Sequence, residues 1–313
     1  MVKIDLITGF LGSGKTTFLR KYARYLMNAG HKICILENDY GAVNVDMMLL
    51  SPLEGPNCNL EMVAGGCDYD CHRRRFKTKL IAMGMCGYDR VLVEPSGIFD
   101  TDEFFDVLCE EPLDRWYEIG SVISIVDASL EDHLSPESEY LLASEVANAG
   151  AVLLSKTQTV PHHAVAGALA HLNRAMEQVQ CKRRFGSEVI AKNWDELTDA
   201  DFEVIAQAGY VKQSFRKQPV HEENSYSSLY FMNLPLTEAD IREKVPHLFR
   251  DGACGHVFRI KGFLQRPDGS WLELNATPRS MEFCPIEAGQ QVIIVIGEQL
   301  NADAIETYFH ARL

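Results

Sequence analysis

Short apolar runs alternate with longer, helix-like segments over the first two-thirds of the chain. The runs lie at residues 3–7, 33–37, 91–94, 121–126, 151–154 and 188–191. Continuous apolar runs of this length are what strands covered on both faces look like. Between them, residues 16–27, 73–83, 101–108, 138–148 and 162–179 carry apolar positions at helical spacing or helix-favouring residues. This alternation predicts a doubly wound α/β domain with a mostly parallel sheet.

The pattern changes past about residue 215. Polar residues crowd positions 213–228, including Lys217, Gln218, His221, Glu222, Glu223 and Asn224. The expected division is a domain over residues 1–215, a linker over 216–225 and a smaller α+β domain over 226–313. The second domain should hold a strand at 228–232 and a helix at 237–244, capped by Thr237 with Asp240 three residues on. Strands near 256–263, 271–275 and 291–296 and a last helix at 302–311 complete it.

Composition narrows the function classes. Lys plus Arg total 30 against 44 Asp plus Glu, a formal net charge of −14. An acidic chain makes a poor partner for nucleic acid phosphates. Nine cysteines, an odd and mostly scattered set, fit a reducing compartment better than a disulfide framework. No apolar run approaches the ~18 to 20 residues that span a bilayer, and the first residues lack a signal-peptide pattern. A cytoplasmic protein without membrane attachment is expected.

The strongest chemical signal is Gly9-Phe-Leu-Gly12-Ser13-Gly14-Lys15-Thr16-Thr17. It fits the phosphate-binding pattern G-x-x-x-x-G-K-[ST] at every fixed position, between an expected strand and an expected helix. Glycines let successive backbone N–H groups turn toward phosphate oxygens, and the helix adds its positive end. Lys15 would neutralise the β and γ phosphates, Thr16 would ligate Mg²⁺, and Thr17 would meet the α-phosphate.

With these residues the sequence resembles the CobW-like P-loop GTPases, relatives of the nickel-insertion GTPases of urease and hydrogenase. The likeness extends to Asn38-Asp39-Tyr40-Gly41 with Asp46, similar to the family's switch segment, and to Glu94-Pro95-Ser96-Gly97 after the third apolar run. Phe258-Arg-Ile-Lys-Gly262 and the strand at 292–296 resemble its accessory domain. Glu94 could hold a water of the Mg²⁺ shell, and Gly97 could offer its N–H to the γ-phosphate. Asp39 and Asp46 could order around Mg²⁺ and relax after hydrolysis; their alternative is ordinary solvated loop acids. Asp127, in a Val-Asp-Ala segment, could also simply brace the next helix.

Two segments depart from the family. Its guanine-reading Asn/Thr-Lys-x-Asp appears here as Ser155-Lys156-Thr157-Gln158. The lysine stem can still cover a purine, but a Gln amide cannot accept from two guanine donors as a carboxylate does. GTP is the expected nucleotide and ATP the alternative. The family's Gly-Gly-Cys-x-Cys-Cys appears as Gly65-Gly66-Cys67-Asp68-Tyr69-Asp70-Cys71-His72. Cys67, Cys71 and His72 could bind Zn²⁺, Co²⁺ or Ni²⁺, form a redox-active or plainly structural pair, or be a degenerate site without metal. Arg73, Arg74 and Arg75 beside them would lower thiol pKa values while opposing a cation. Cys58 reads as a loop thiol, with a further metal ligand as the alternative, His162 and His163 as solvated, and the basic cluster Lys182-Arg183-Arg184 as a solvated face or partner contact.

The resemblance implies a Mg²⁺-dependent, slowly hydrolysing GTP switch for metal delivery or metalloenzyme and cofactor maturation, with a client protein as partner and a monomer or homodimer as assembly. Lys15, Thr16 and Glu94 would carry the hydrolysis. The rivals are a nucleotide-dependent activator of a metal- or corrinoid-containing enzyme that binds no metal itself, a small-molecule kinase, and a binding module without turnover.

Overall fold

In the computed structural model, residues 1–10, 12–39, 45–64, 69–95, 101–130, 134–217, 227–287 and 289–310 are described. The chain divides into two compact units, Met1–Pro219 and Val220–Leu313.

The first unit is built on a six-stranded parallel sheet of order β3-β2-β4-β1-β5-β6. Its strands are β1 (Val2–Gly9), β2 (Ile33–Asp39), β3 (Cys58–Ala64), β4 (Arg90–Pro95), β5 (Tyr117–Asp127) and β6 (Ala151–Ser155). The helices are α1 (Lys15–Asn28), α2 (Val45–Leu50), α3 (Tyr69–Gly84), α4 (Thr101–Leu108), α5 (Leu113–Trp116), α6 (Pro136–Ala147), α7 (His162–Gln178) and α8 (Asp199–Ala206). Apolar residues of β1, β2, β4, β5 and β6 pack against Phe18, Leu19, Tyr22 and Leu26 of α1 and Phe202 and Ile205 of α8. Fully burying side chains of this size stabilises by about 1.5 to 3 kcal/mol each. Helix α6 starts where Ser135 accepts from the Ser138 N–H and Pro136 fills the first turn, and it runs beside α7.

The second unit is a five-stranded antiparallel sheet, β10-β9-β8-β11-β7. Its strands are β7 (Ser227–Met232), β8 (His256–Gln265), β9 (Trp271–Thr277), β10 (Ser280–Ile286) and β11 (Val292–Glu298), with helices α9 (Glu238–Leu248) and α10 (Ala302–His310). Ile241, Val245 and Leu248 of α9 and Ile305 and Phe309 of α10 share a core with Ile260, Leu274, Ile293 and Val295 of the sheet. The Thr237–Asp240 capping box forms as the sequence suggests.

The expected mostly parallel sheet and a smaller α+β region, whose sheet is antiparallel, are both present, with three local differences. Strand β3 occupies a stretch read as loop, because Asn59 and Glu61 give it the polar alternation of an edge strand. Strand β10, also at an edge, lies where the sequence pattern predicts no strand. Residues 188–191 form no strand of their own and touch the sheet through one bridge, Leu153 to Ile190. Among the described residues no helix is long and apolar enough to cross a membrane.

Candidate functional site

Strand β1 ends on Gly9, where a side chain would be impossible: a Cβ would lie 2.2 Å from the Ile125 carbonyl oxygen. Gly14 immediately precedes α1 at φ 100°, a left-handed conformation that favours glycine. The turn between them is closed by the Ser13 N–H donating to the Phe10 carbonyl at 3.0 Å. Lys15 is buried, and its ammonium donates back to the Gly9 carbonyl at 2.7 Å. Gly12 and Ser13 complete the turn, and the buried Ser13 hydroxyl has no hydrogen-bond partner among the described residues. Thr17, on the first turn of α1, is exposed.

Across the strand ends, the Thr16 hydroxyl donates to Glu94 Oε1 at 2.9 Å. Glu94 closes the β4 run, and parallel register sets it directly beside Glu37 of β2. Both carboxylates are buried, at 4% and 3% exposure. Neighbouring strands lie only about 4.8 Å apart, so two buried acidic residues share this end of the sheet. A hydroxyl and paired carboxylates are hard oxygen donors of the kind Mg²⁺ takes, and the glycine turn with its lysine is suited to phosphate. The residues therefore fit a Mg²⁺-polyphosphate. Glu37 was missed in the sequence; its only signal was its place just before the Asn38-Asp39 segment.

On the other side of β1, Asp127 ends β5 in register with Ser155, which ends β6. Lys156 follows in a left-handed conformation, φ 57°, and its ammonium reaches Asp127 Oδ2 at 2.6 Å. Ser155 is buried; Gln158 sits exposed on the 3-10 turn Thr157–Thr159. Trp194 arrives from far along the chain. Its ring stands 3.4 Å from where a Gly14 Cβ would be and edge-on to Phe18, and its buried indole N–H has no hydrogen-bond partner among the described residues. No motif announced it.

The remaining candidates are placed unevenly. The side chains of Asp39 and Asp46 and the residues Cys67 and Gly97 lie outside the described residues. On α3, Cys71 is half-buried and His72 fully buried. Burial, with the charge of Arg75, holds the His72 imidazole below its ordinary 6.5. The positive charge beside the motif is partly neutralised, because Arg73 and Lys77 both pair with Glu110. Among the described residues no group of three or more His, Cys, Asp or Glu is arranged to hold a metal ion. Cys58 is not a loop thiol: it begins β3, 1% exposed, and burial pushes its pKa to about 11. Arg183 is engaged within the chain, donating to the Val146 and Ala147 carbonyls at the end of α6.

A glycine turn between a parallel strand and a helix, a lysine turned into it and a threonine–carboxylate pair beside it define a P-loop nucleotide-binding domain. The family described as CobW/HypB/UreG, nucleotide-binding domain, matches residues 3–185, and the chain belongs to that family. The chain is 29% identical over 196 residues to the zinc chaperone YjiA of Escherichia coli (strain K12), a match covering 58% of this chain and 55% of that one. The match thus spans about half the length of that relative. The chain is 25% identical over 340 residues to the zinc-regulated GTPase metalloprotein activator 1 of Dictyostelium discoideum, covering 94% of this chain and 67% of that one. Among solved structures, the Zn(II)-bound YjiA GTPase from E. coli aligns over 98% of both chains at 20% identity, with a TM-score of 0.36.

Proposed function

We propose that the chain is a Mg²⁺-dependent GTPase switch that serves metal delivery to a client metalloprotein or the maturation of a metal-containing enzyme. The observation that carries the nucleotide part is the Thr16–Glu94 pair at 2.9 Å beside the Lys15 turn. The metal part draws on family membership and on relatives named as zinc chaperones and zinc-regulated GTPases.

In this reading the backbone N–H groups of Gly12 to Thr17 receive the phosphates. Lys15 exchanges the Gly9 carbonyl for phosphate oxygens, moving a buried positive charge onto the group where negative charge grows during transfer. Thr16 and Glu94 would hold the ion, with Glu37, Asp39 and Asp46 as further carboxylates on its side of the sheet. Bound Mg²⁺ supplies charge neutralisation at the β and γ oxygens. The Gly97 N–H senses the γ-phosphate, and the Lys156 stem covers the base. Cys67, Cys71 and His72 are the candidate carriers of Zn²⁺ or a similar ion.

The test combines turnover with metal retention. Slow GTP hydrolysis that requires Mg²⁺ and is lost in Thr16→Ala is expected, as is retention of Zn²⁺ by the wild type and not by Cys67→Ser. Phosphorylation of a small molecule in place of hydrolysis would contradict the switch reading. Equal Zn²⁺ levels near zero in both proteins would remove metal carriage and leave the nucleotidase.

A further inference from the structure

Asp127 takes no part in the phosphate cradle, yet both of its carboxylate oxygens are committed. Oδ1 accepts the Ser129 backbone N–H at 2.7 Å and the Ser129 hydroxyl at 2.6 Å. Oδ2 takes the Lys156 ammonium at 2.6 Å. The Oδ1 bonds alone satisfy the local turn after β5. The Oδ2 contact does something else: it leaves β5 and fixes the residue that follows β6, across the end of the sheet.

The residue fixed in this way is already strained. Lys156 holds a left-handed backbone, φ 57° and ψ 21°, a conformation that disfavours a non-glycine residue. A free lysine side chain also carries rotamer entropy that is lost if its stem must lie flat against a ligand. With side-chain exposures of 14% for Asp127 and 30% for Lys156, the pair is sheltered enough to resist screening yet leaves the stem open on one side. Tying the ammonium down orders the stem before any ligand arrives, and preorganisation of this kind is worth affinity.

We propose that Asp127 is a positioning residue for base recognition: it clamps Lys156 so that the lysine stem forms one face of a slot for a purine nucleoside triphosphate. The proposal rests on reading residues 155–158 as the base segment. It adds that the clamp acts on the flat face of the base and not on its edge. Guanine and adenine nucleotides gain equally from it, and the choice between them falls to other groups, Gln158 among them.

The experiment is calorimetry on the full chain with Mg²⁺ and GTP, ATP or inorganic tripolyphosphate, for wild type, Asp127→Asn, Lys156→Gln and the double variant. Asparagine keeps an acceptor for Ser129 and removes the charge facing Lys156. The expected result is that D127N weakens GTP and ATP by the same factor, about tenfold, leaves tripolyphosphate unchanged, and adds nothing in the K156Q background. K156Q leaves the Asp127 turn intact and carries the same prediction if D127N melts early. Nucleotide binding that D127N leaves untouched overturns the clamp alone. So does a loss that extends to tripolyphosphate, or one that persists undiminished in K156Q. A wild type that binds neither nucleotide overturns the clamp together with the reading beneath it.

Discussion

The two ends of the parallel sheet treat buried polar groups in opposite ways. At the end where β1 and β4 begin, Asp5 is fully buried and saturated. It accepts from the Tyr22 hydroxyl at 2.8 Å, Arg90 Nη1 at 2.8 Å and the Ser121 N–H at 2.7 Å. Arg90 also donates to the Tyr22 hydroxyl and the Ala206 carbonyl. At the P-loop end, the buried Thr8, Ser13 and Ser124 hydroxyls and both amide atoms of Asn38 have no hydrogen-bond partner among the described residues. Glu145 of α6, 1% exposed, likewise keeps one carboxylate oxygen unpaired. An unpaired buried polar group costs about 1 to 3 kcal/mol. Among the described residues, the first end is tied together within the chain, and the P-loop end leaves donors and acceptors without partners, as a ligand site would.

The largest effect should come from breaking the saturated end. Arg90→Met leaves the Asp5 carboxylate buried without its cation and should cost about 3 to 5 kcal/mol, read by urea unfolding. Nucleotide affinity of the folded fraction should stay at the wild-type value. A loss of affinity in step with stability would erase the distinction between the two ends.

A smaller, pH-dependent effect belongs to the other end. Burial pushes the Glu145 carboxyl from its ordinary 4.5 up to about 8, with the Lys15 charge pulling against it. The folded protein therefore holds a proton that the unfolded chain has released. The stability this contributes is complete below about 4.5 and is lost as pH rises through about 8. Glu145→Gln removes the dependence, so wild type should lose stability relative to E145Q by up to ~1.4 kcal/mol per pH unit in that window. Parallel stability curves for the two proteins from pH ~5 to ~8 would show that Glu145 is not a neutral acid in the fold.

What was legible in the sequence follows from distance along the chain. Gly9 to Thr17 are consecutive, so the phosphate turn and its flanking strand and helix could be read together. Glu94 could be placed because it ends an unbroken apolar run. The pairing of Glu37 with Glu94 depends on the register of β2 against β4, and the approach of Trp194 to Gly14 joins positions far apart; neither leaves a local pattern. Asp127 and Lys156 were both visible, but the ion pair between them exists only because β5 and β6 are neighbours. Two of the four edge strands hid for the opposite reason: half-exposed β3 and β10 carry polar residues where a buried strand would be apolar, and Cys58 was misread along with β3.

The central claim is that the unsaturated end of the sheet is a triphosphate cradle whose charge centre is Lys15. Calorimetric titration of Mg²⁺-GTP into wild type and Lys15→Ala tests it most directly. The account predicts saturable one-site binding by wild type and a loss of at least about a hundredfold in K15A, close to 3 kcal/mol, with the melting temperature of the ligand-free protein little changed. Equal affinity in the two proteins, or no binding by wild type, would contradict it.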